Sequence, residues 1–126
     1  MLLIEYVSQV TATISEFTET GLITFSDLAT DFRTEKIGLI KGEIAFIDGS
    51  KLFFKEYIDL RYGVDKEAYS YHYQNRDFIM KFRYDNASHK PALDFREHKH
   101  SGDKIAPSEI PDLVKILEEI ISDYLL

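Results

Sequence analysis

The stretch GLIKGEIAFIDGSKLFFKEYID, residues 38–59, decides the fold. Two apolar-rich runs, Gly38–Ile47 and Lys51–Asp59, lie on either side of Asp48-Gly49. An Asp-Gly pair between such runs is a hairpin signal, because both positions of a two-residue turn need positive φ. Glycine adopts that conformation freely and Asp tolerates it. If the loop has two residues, facing positions carry numbers that add to 97. Ile44 and Phe46 then share a face with Phe53 and Tyr57, and Lys41 faces Glu56 on the other side. A three-residue loop would flip that assignment, since side chains alternate along a strand.

Working outward, a second hairpin follows. Tyr69–Gln74 turns through Asn75-Arg76-Asp77 into Phe78–Tyr84. Tyr69, Tyr71 and Tyr73 alternate with Ser70, His72 and Gln74; Phe78, Met80, Phe82 and Tyr84 alternate with Ile79, Lys81, Arg83 and Asp85. One face is aromatic and the other polar, as in an antiparallel sheet with one wet side. Residues 85–91 read as a loop, Leu93–His98 as an edge strand, and Ser101-Gly102-Asp103 as a turn. Upstream, Asp27–Arg33 reads as a strand. Leu3, Val7, Val10, Ile14 and Phe17 have helical spacing, and Gly21 ends that helix. At the other end, Leu113, Ile116, Leu117, Ile120, Ile121 and Tyr124 form an apolar stripe opposite Asp112, Lys115, Glu118, Glu119 and Asp123. Ser108 is positioned to cap this helix, with Pro111 in its first turn. The stripe is core packing first, and a face for a homodimer or partner helix second. The expected architecture is α+β: an antiparallel β-meander of about five strands flanked by an N-terminal and a C-terminal helix, in one domain spanning 1–126.

Composition agrees. A chain of 126 residues with 44% apolar content has material for one core. Nine Phe and eight Tyr favour strands. No Cys is present, so disulfides and thiolate metal sites are excluded. The N-terminus lacks a basic segment and its apolar run stops at Glu5, unlike a signal peptide. No apolar stretch has bilayer-spanning length, so no membrane association is expected and the cytoplasm is the default compartment. The net charge of −7 argues against a protein that coats nucleic acid nonspecifically. The charge is uneven, however. Residues 81–104 hold six basic side chains against four acidic ones, a local +2, and three of the four histidines. A basic, histidine-bearing segment on an acidic chain is a candidate phosphate site.

Within it, Glu97-His98-Lys99-His100 is the most suggestive run. In extended backbone His98 and His100 point one way and Lys99 the other. Two such histidines suit metal ligation, with Asp103 or His89 as a third ligand, but no spacing here matches a strong metal signature. They also suit general acid–base work on a phosphodiester. RNA cleavage without metal needs a base for the 2′-hydroxyl, an acid for the leaving 5′-oxygen, and a cation for the added phosphate charge. Histidine titrates near neutrality, and Arg83, Arg96 or Lys99 can supply the cation. The bland alternatives are an ordinary surface H-x-H pair, a surface Arg83–Asp85 ion pair of little worth, a solvated sheet histidine at His72, and a tyrosine ladder that is core.

These residues form a pattern. Asp48-Gly49-Ser50 with Phe54, Glu56 and Tyr57 is one block, and Tyr69-Ser70-Tyr71-His72-Tyr73-Gln74 a second. Phe82-Arg83-Tyr84-Asp85-Asn86-Ala87 with His89 and Pro91 is a third; His98-Lys99-His100 and Pro111-Asp112-Leu113 with Leu117-Glu118-Glu119-Ile120 complete it. Jointly, over about residues 37–121, they resemble the TumE family of small prokaryotic toxins. The chain departs from the family run at Ser88 and Lys90, where proline and histidine are usual, and at Arg96-Glu97, where Pro-His often stands. The resemblance implies the toxin of a type II toxin–antitoxin pair, held by a helix-turn-helix antitoxin protein, with RNA as the target. The expected activity is a metal-independent endoribonuclease without cofactor. His98, His100, His89 and Arg83 would be the reacting groups, and Lys99, Tyr84, Asp85, Asn86, His72 and Glu56 would surround the substrate. The competing expectation is a non-catalytic protein-binding module of a two-protein regulatory pair.

Overall fold

The computed structural model describes residues 1–88 and 95–126. Helix α1 (Leu3–Thr18) leads into strands β1 (Ile23–Phe32), β2 (Ile37–Phe46), β3 (Lys51–Asp59), β4 (Asp65–Gln74), β5 (Met80–Asp85), β6 (His98–Ser101) and β7 (Lys104–Pro107). Helix α2 (Leu113–Ile120) follows and widens into a π-turn, Ile121–Leu125. The seven strands form one antiparallel sheet whose spatial order is the chain order. The α+β meander with a helix at each end is therefore as expected, with seven strands where about five were counted.

Each added or moved strand has a local cause. β1 starts at Ile23, four residues before the expected Asp27, because Ile23 is a buried anchor that pairs with Phe46. β6 begins at His98, where the expected strand ended; of that expectation, Leu93 and Asp94 lie outside the described residues. β7 is short, exposed throughout and closed by Pro107, so it carries no apolar alternation to betray it. Its hairpin turns on Gly102-Asp103, with Gly102 at φ +60°.

The β2–β3 hairpin has a three-residue loop, Ile47-Asp48-Gly49. Phe46 N–H donates to the Ser50 carbonyl (3.0 Å) and Gly49 takes the left-handed conformation at φ +85°. Facing numbers therefore add to 96: Ile40 faces Glu56, and Lys41 faces Lys55, not Glu56. This register puts Leu52, Phe54 and Ile58 into the core with Ile40, Ile44 and Phe46, and turns Phe53, Lys55 and Tyr57 outward. It buries the larger apolar set. Gly42 makes room for that packing, since a Cβ there would lie 2.1 Å from the Phe54 ring.

The tyrosine ladder is core. Tyr69, Tyr71, Tyr73 and Phe82 are buried, whereas Phe78 stands exposed at φ +64° in the turn outside β5. Both helices cover this one face. α1 inserts Leu3, Tyr6, Val10 and Ile14, and α2 inserts Leu113, Ile116, Leu117 and Ile120. Tyr124 packs its ring 5.1 Å from Tyr73. The cap of α2 is Asp112, whose Oδ1 accepts from Lys115 N–H at 2.9 Å. Ser108 instead donates to the Glu109 carbonyl, and Pro111 precedes the cap. Among the described residues no helix is long and apolar enough to cross a membrane.

Candidate functional site on the open face of the sheet

With both helices on one face, the other carries the polar side chains. The registers align them in two transverse rows. One row runs Ala29, Lys41, Lys55, Ser70, Asp85, His98, Pro107; the next runs Asp27, Glu43, Phe53, His72, Arg83, His100, Ile105. An open cavity of about 620 Å³ lies on this face, lined by Lys41, Glu43, Phe53, Lys55, Ser70, His72 and Arg83 among others. A second, of about 540 Å³, shares Lys41, Lys55, Ser70 and Arg83 with it and extends to Asp85, Asn86 and Arg96.

Asp85 is the hub. It is buried, yet takes Arg83 Nε on Oδ2 at 2.7 Å, His98 Nε2 on Oδ1 at 2.5 Å, and the Ala87 N–H at 3.3 Å. Burial pushes its carboxyl up, but the Arg83 hydrogen bond, the His98 charge and the backbone donor outweigh burial and hold it below the usual carboxylate range. His98 is 1% exposed and gives Nδ1 to the Arg96 carbonyl at 2.8 Å. It can orient the site but is closed off from a substrate on the open face. His100 lies next to it, rings edge to face at 5.0 Å, with Nε2 3.8 Å from Asp85 Oδ2. Asp85, His98 and His100 together offer three ligand atoms within 4.8 Å of one another, a donor set able to take a divalent metal.

His72 and His100 flank Arg83. Both are its direct cross-strand neighbours, one on β4 and one on β6. Adjacent strands lie about 4.8 Å apart, so the two histidines leave the sheet on either side of Arg83. His72 Nε2 is 3.2 Å from Gln74 Oε1, and its Nδ1 is buried with no partner among the described residues.

The remaining expected site residues sit elsewhere. Glu56 is on the helix-covered face, 1% exposed, accepting the Tyr6 hydroxyl (2.6 Å), the Tyr71 hydroxyl and the Lys66 ammonium (3.1 Å). Burial first, then the Glu56 charge and hydrogen bond, push both phenols well above their ordinary range. Tyr84 and Lys99 are on that same face and bind Glu119 of α2, at 2.6 and 2.9 Å. Asn86 fastens a strand end, accepting from Tyr69 N–H and donating to the Glu67 carbonyl. His89 lies outside the described residues. The structure thus brings Arg83, Asp85, His98, His100 and His72 together and separates them from Glu56, Tyr84 and Lys99. Lys41 and Lys55, absent from the sequence-derived site, join it. The hairpin loop length was the signal that would have found them.

This fold and face define a small α+β protein with a helix-backed meander and an open surface that carries histidines among charges of both signs. Comparison with known families gives a match to the model described as toxin TumE, over residues 11–124, nearly the whole chain. The chain belongs to the TumE toxin family, as its sequence blocks indicated. No curated protein and no solved structure matches it.

Proposed function

We propose that this toxin acts on RNA as a metal-independent endoribonuclease whose reacting groups are His72, Arg83 and His100. The observation that carries the reading is the cross-strand order His72, Arg83, His100 on the open face. One imidazole takes the proton of a 2′-hydroxyl, and the freed oxygen attacks the adjacent phosphorus. The bond to the 5′-oxygen breaks, and the second imidazole protonates that leaving oxygen. A 2′,3′-cyclic phosphate and a 5′-hydroxyl result. Arg83 carries the extra phosphate charge, its guanidinium held by Asp85. His98 acts through Asp85 as a positioning residue. An antitoxin partner follows from a toxin family, and the helix-turn-helix type is the expected one.

The test is cleavage of a labelled oligoribonucleotide by the full chain in excess EDTA. Cleavage should leave cyclic phosphate ends and stop at any 2′-deoxy position. His72→Ala and His100→Ala should each lower the rate by about 10²–10⁴-fold, the usual range for a general acid or base. Cleavage that EDTA abolishes and a divalent ion restores would replace this chemistry with a metal held by Asp85, His98 and His100. Growth arrest with intact RNA would favour the non-catalytic binding module instead.

A further inference from the structure

We infer that the ligand of the open face is single-stranded RNA lying across the strands, its phosphates running from Arg83 over Ser70 to Lys55 and Lys41, with a base stacked on Phe53; this rests on the reading of RNA as the target. The first support is a charge arrangement. Lys41 and Lys55 are directly opposite each other in the β2–β3 register and both are exposed. Like charges in that position destabilise a sheet. Neighbouring cations outside the path are neutralised: Lys51 by Glu43, Arg61 by Asp59. Lys41 and Lys55 form no ion pair among the described residues. An anion laid between them relieves the repulsion, and both line the two cavities that Arg83 also lines.

Spacing gives the path its direction. From β5 to β3 and β2 is two and three strand intervals, about 10 and 14 Å, a distance that a chain of several nucleotides bridges and a single phosphate does not. Ser70, between Lys55 and Asp85 in the row, marks the crossing. The second row supplies the base contact. Phe53 is 38% exposed beside His72, ring centroids 6.4 Å apart. An exposed aromatic on a sheet face takes an unpaired base, which a duplex keeps inside its stack. Asp27 ends that row on β1 and repels phosphate there, so the strand is confined to the lysine row. The chain's −7 charge repels polyanions elsewhere, so the attraction is local.

The experiment is fluorescence anisotropy with the full chain and a labelled 2′-O-methyl oligoribonucleotide, which the proposed chemistry cannot cleave. Lys41→Glu/Lys55→Glu, with an unchanged circular dichroism spectrum, should bind at least tenfold more weakly. It should also lower the slope of log affinity against log salt by about 1.4, the share of two phosphate contacts on a single strand. Lys41→Arg/Lys55→Arg should retain affinity, Phe53→Ala should lose about tenfold, and the same strand annealed into a duplex should bind less well. Charge-reversed protein that binds within twofold of wild type at the same slope would overturn the path. So would duplex bound as tightly as single strand, or wild type that ignores RNA while the lysines hold an acidic protein partner. Binding lost only with the lysines, in a chain that never cleaves, would retain the path and discard the chemistry.

Discussion

Replacing Glu56 by Gln tests whether this carboxylate holds the core together. Its Oε2 lies 3.1 Å from Lys66 Nζ, with side chains 2% and 9% exposed. Breaking a buried pair by removing one charge costs about 3–5 kcal/mol, because the survivor is stranded away from water. Lys66 keeps the Tyr71 hydroxyl at 2.6 Å and the Pro111 carbonyl at 2.8 Å, and Gln keeps an acceptor oxygen for one of the two phenols. The loss should therefore fall near the lower end, about 3 kcal/mol. Urea unfolding followed by circular dichroism reads it: with a slope of about 1.5 kcal/mol per molar, the midpoint drops by about 2 M at unchanged slope. The apolar replacement Tyr6→Phe/Glu56→Leu/Lys66→Met/Tyr71→Phe removes every orphan except the Pro111 carbonyl. It should be more stable than Glu56→Gln alone. A midpoint loss worth under about 1 kcal/mol for Glu56→Gln, or a less stable apolar quadruple, would refute the reasoning.

Three further outcomes follow from the geometry. Tyr6 and Tyr71 have raised phenol pKa values in the fold, so their contribution is complete below the unfolded value of about 10 and is lost as pH climbs past it. Stability from urea unfolding should be level to about pH 9 and then fall by up to about 1.4 kcal/mol per pH unit for each raised tyrosine, Tyr69, Tyr73, Tyr84 and Tyr124 included, with Tyr6→Phe removing one tyrosine's share of the slope. Gly42→Ala drives a methyl into Phe54 and should cost about 1–3 kcal/mol in the same assay, with Phe54→Leu restoring part of it. Asp85→Asn releases the Arg83 guanidinium and should cut kcat/KM for oligoribonucleotide cleavage by about 10- to 150-fold, the worth of one charged hydrogen bond; the circular dichroism spectrum should remain that of wild type.

The helices and the two central hairpins were legible because their apolar periods are regular. The stripe from Leu113 to Ile120 and the alternation Tyr69, Tyr71, Tyr73 are both buried as read. What escaped was short or exposed. Lys104–Pro107 has no apolar face to announce a strand. The site was half legible. His98, His100, Arg83 and Asp85 do meet, since strand parity alone puts them on one side. The role of Glu56 depended on whether the Asp48-Gly49 loop holds two residues or three, which composition does not decide. That single residue moved Glu56 into the core and Lys55 onto the open face. Tyr84 and Lys99 have the opposite parity to Arg83 and His98, and only the docked α2 explains why they are polar there.

The order of the strands bears on how the chain acquires its shape. Every strand pairs with its neighbour in sequence, so the sheet can zip hairpin by hairpin, with short loops to close everywhere except the twelve residues between β5 and β6. The contacts that bridge distance come with the helices: Tyr6 to Glu56 across 50 residues, Lys66 to Pro111 across 45, and the Tyr124 ring against Tyr73. The expected order is the β2–β3 hairpin first and the helices after, which stopped-flow folding and unfolding rates of variants would check. Substitutions at Gly49 would then slow folding, whereas those at Tyr6 would mainly hasten unfolding.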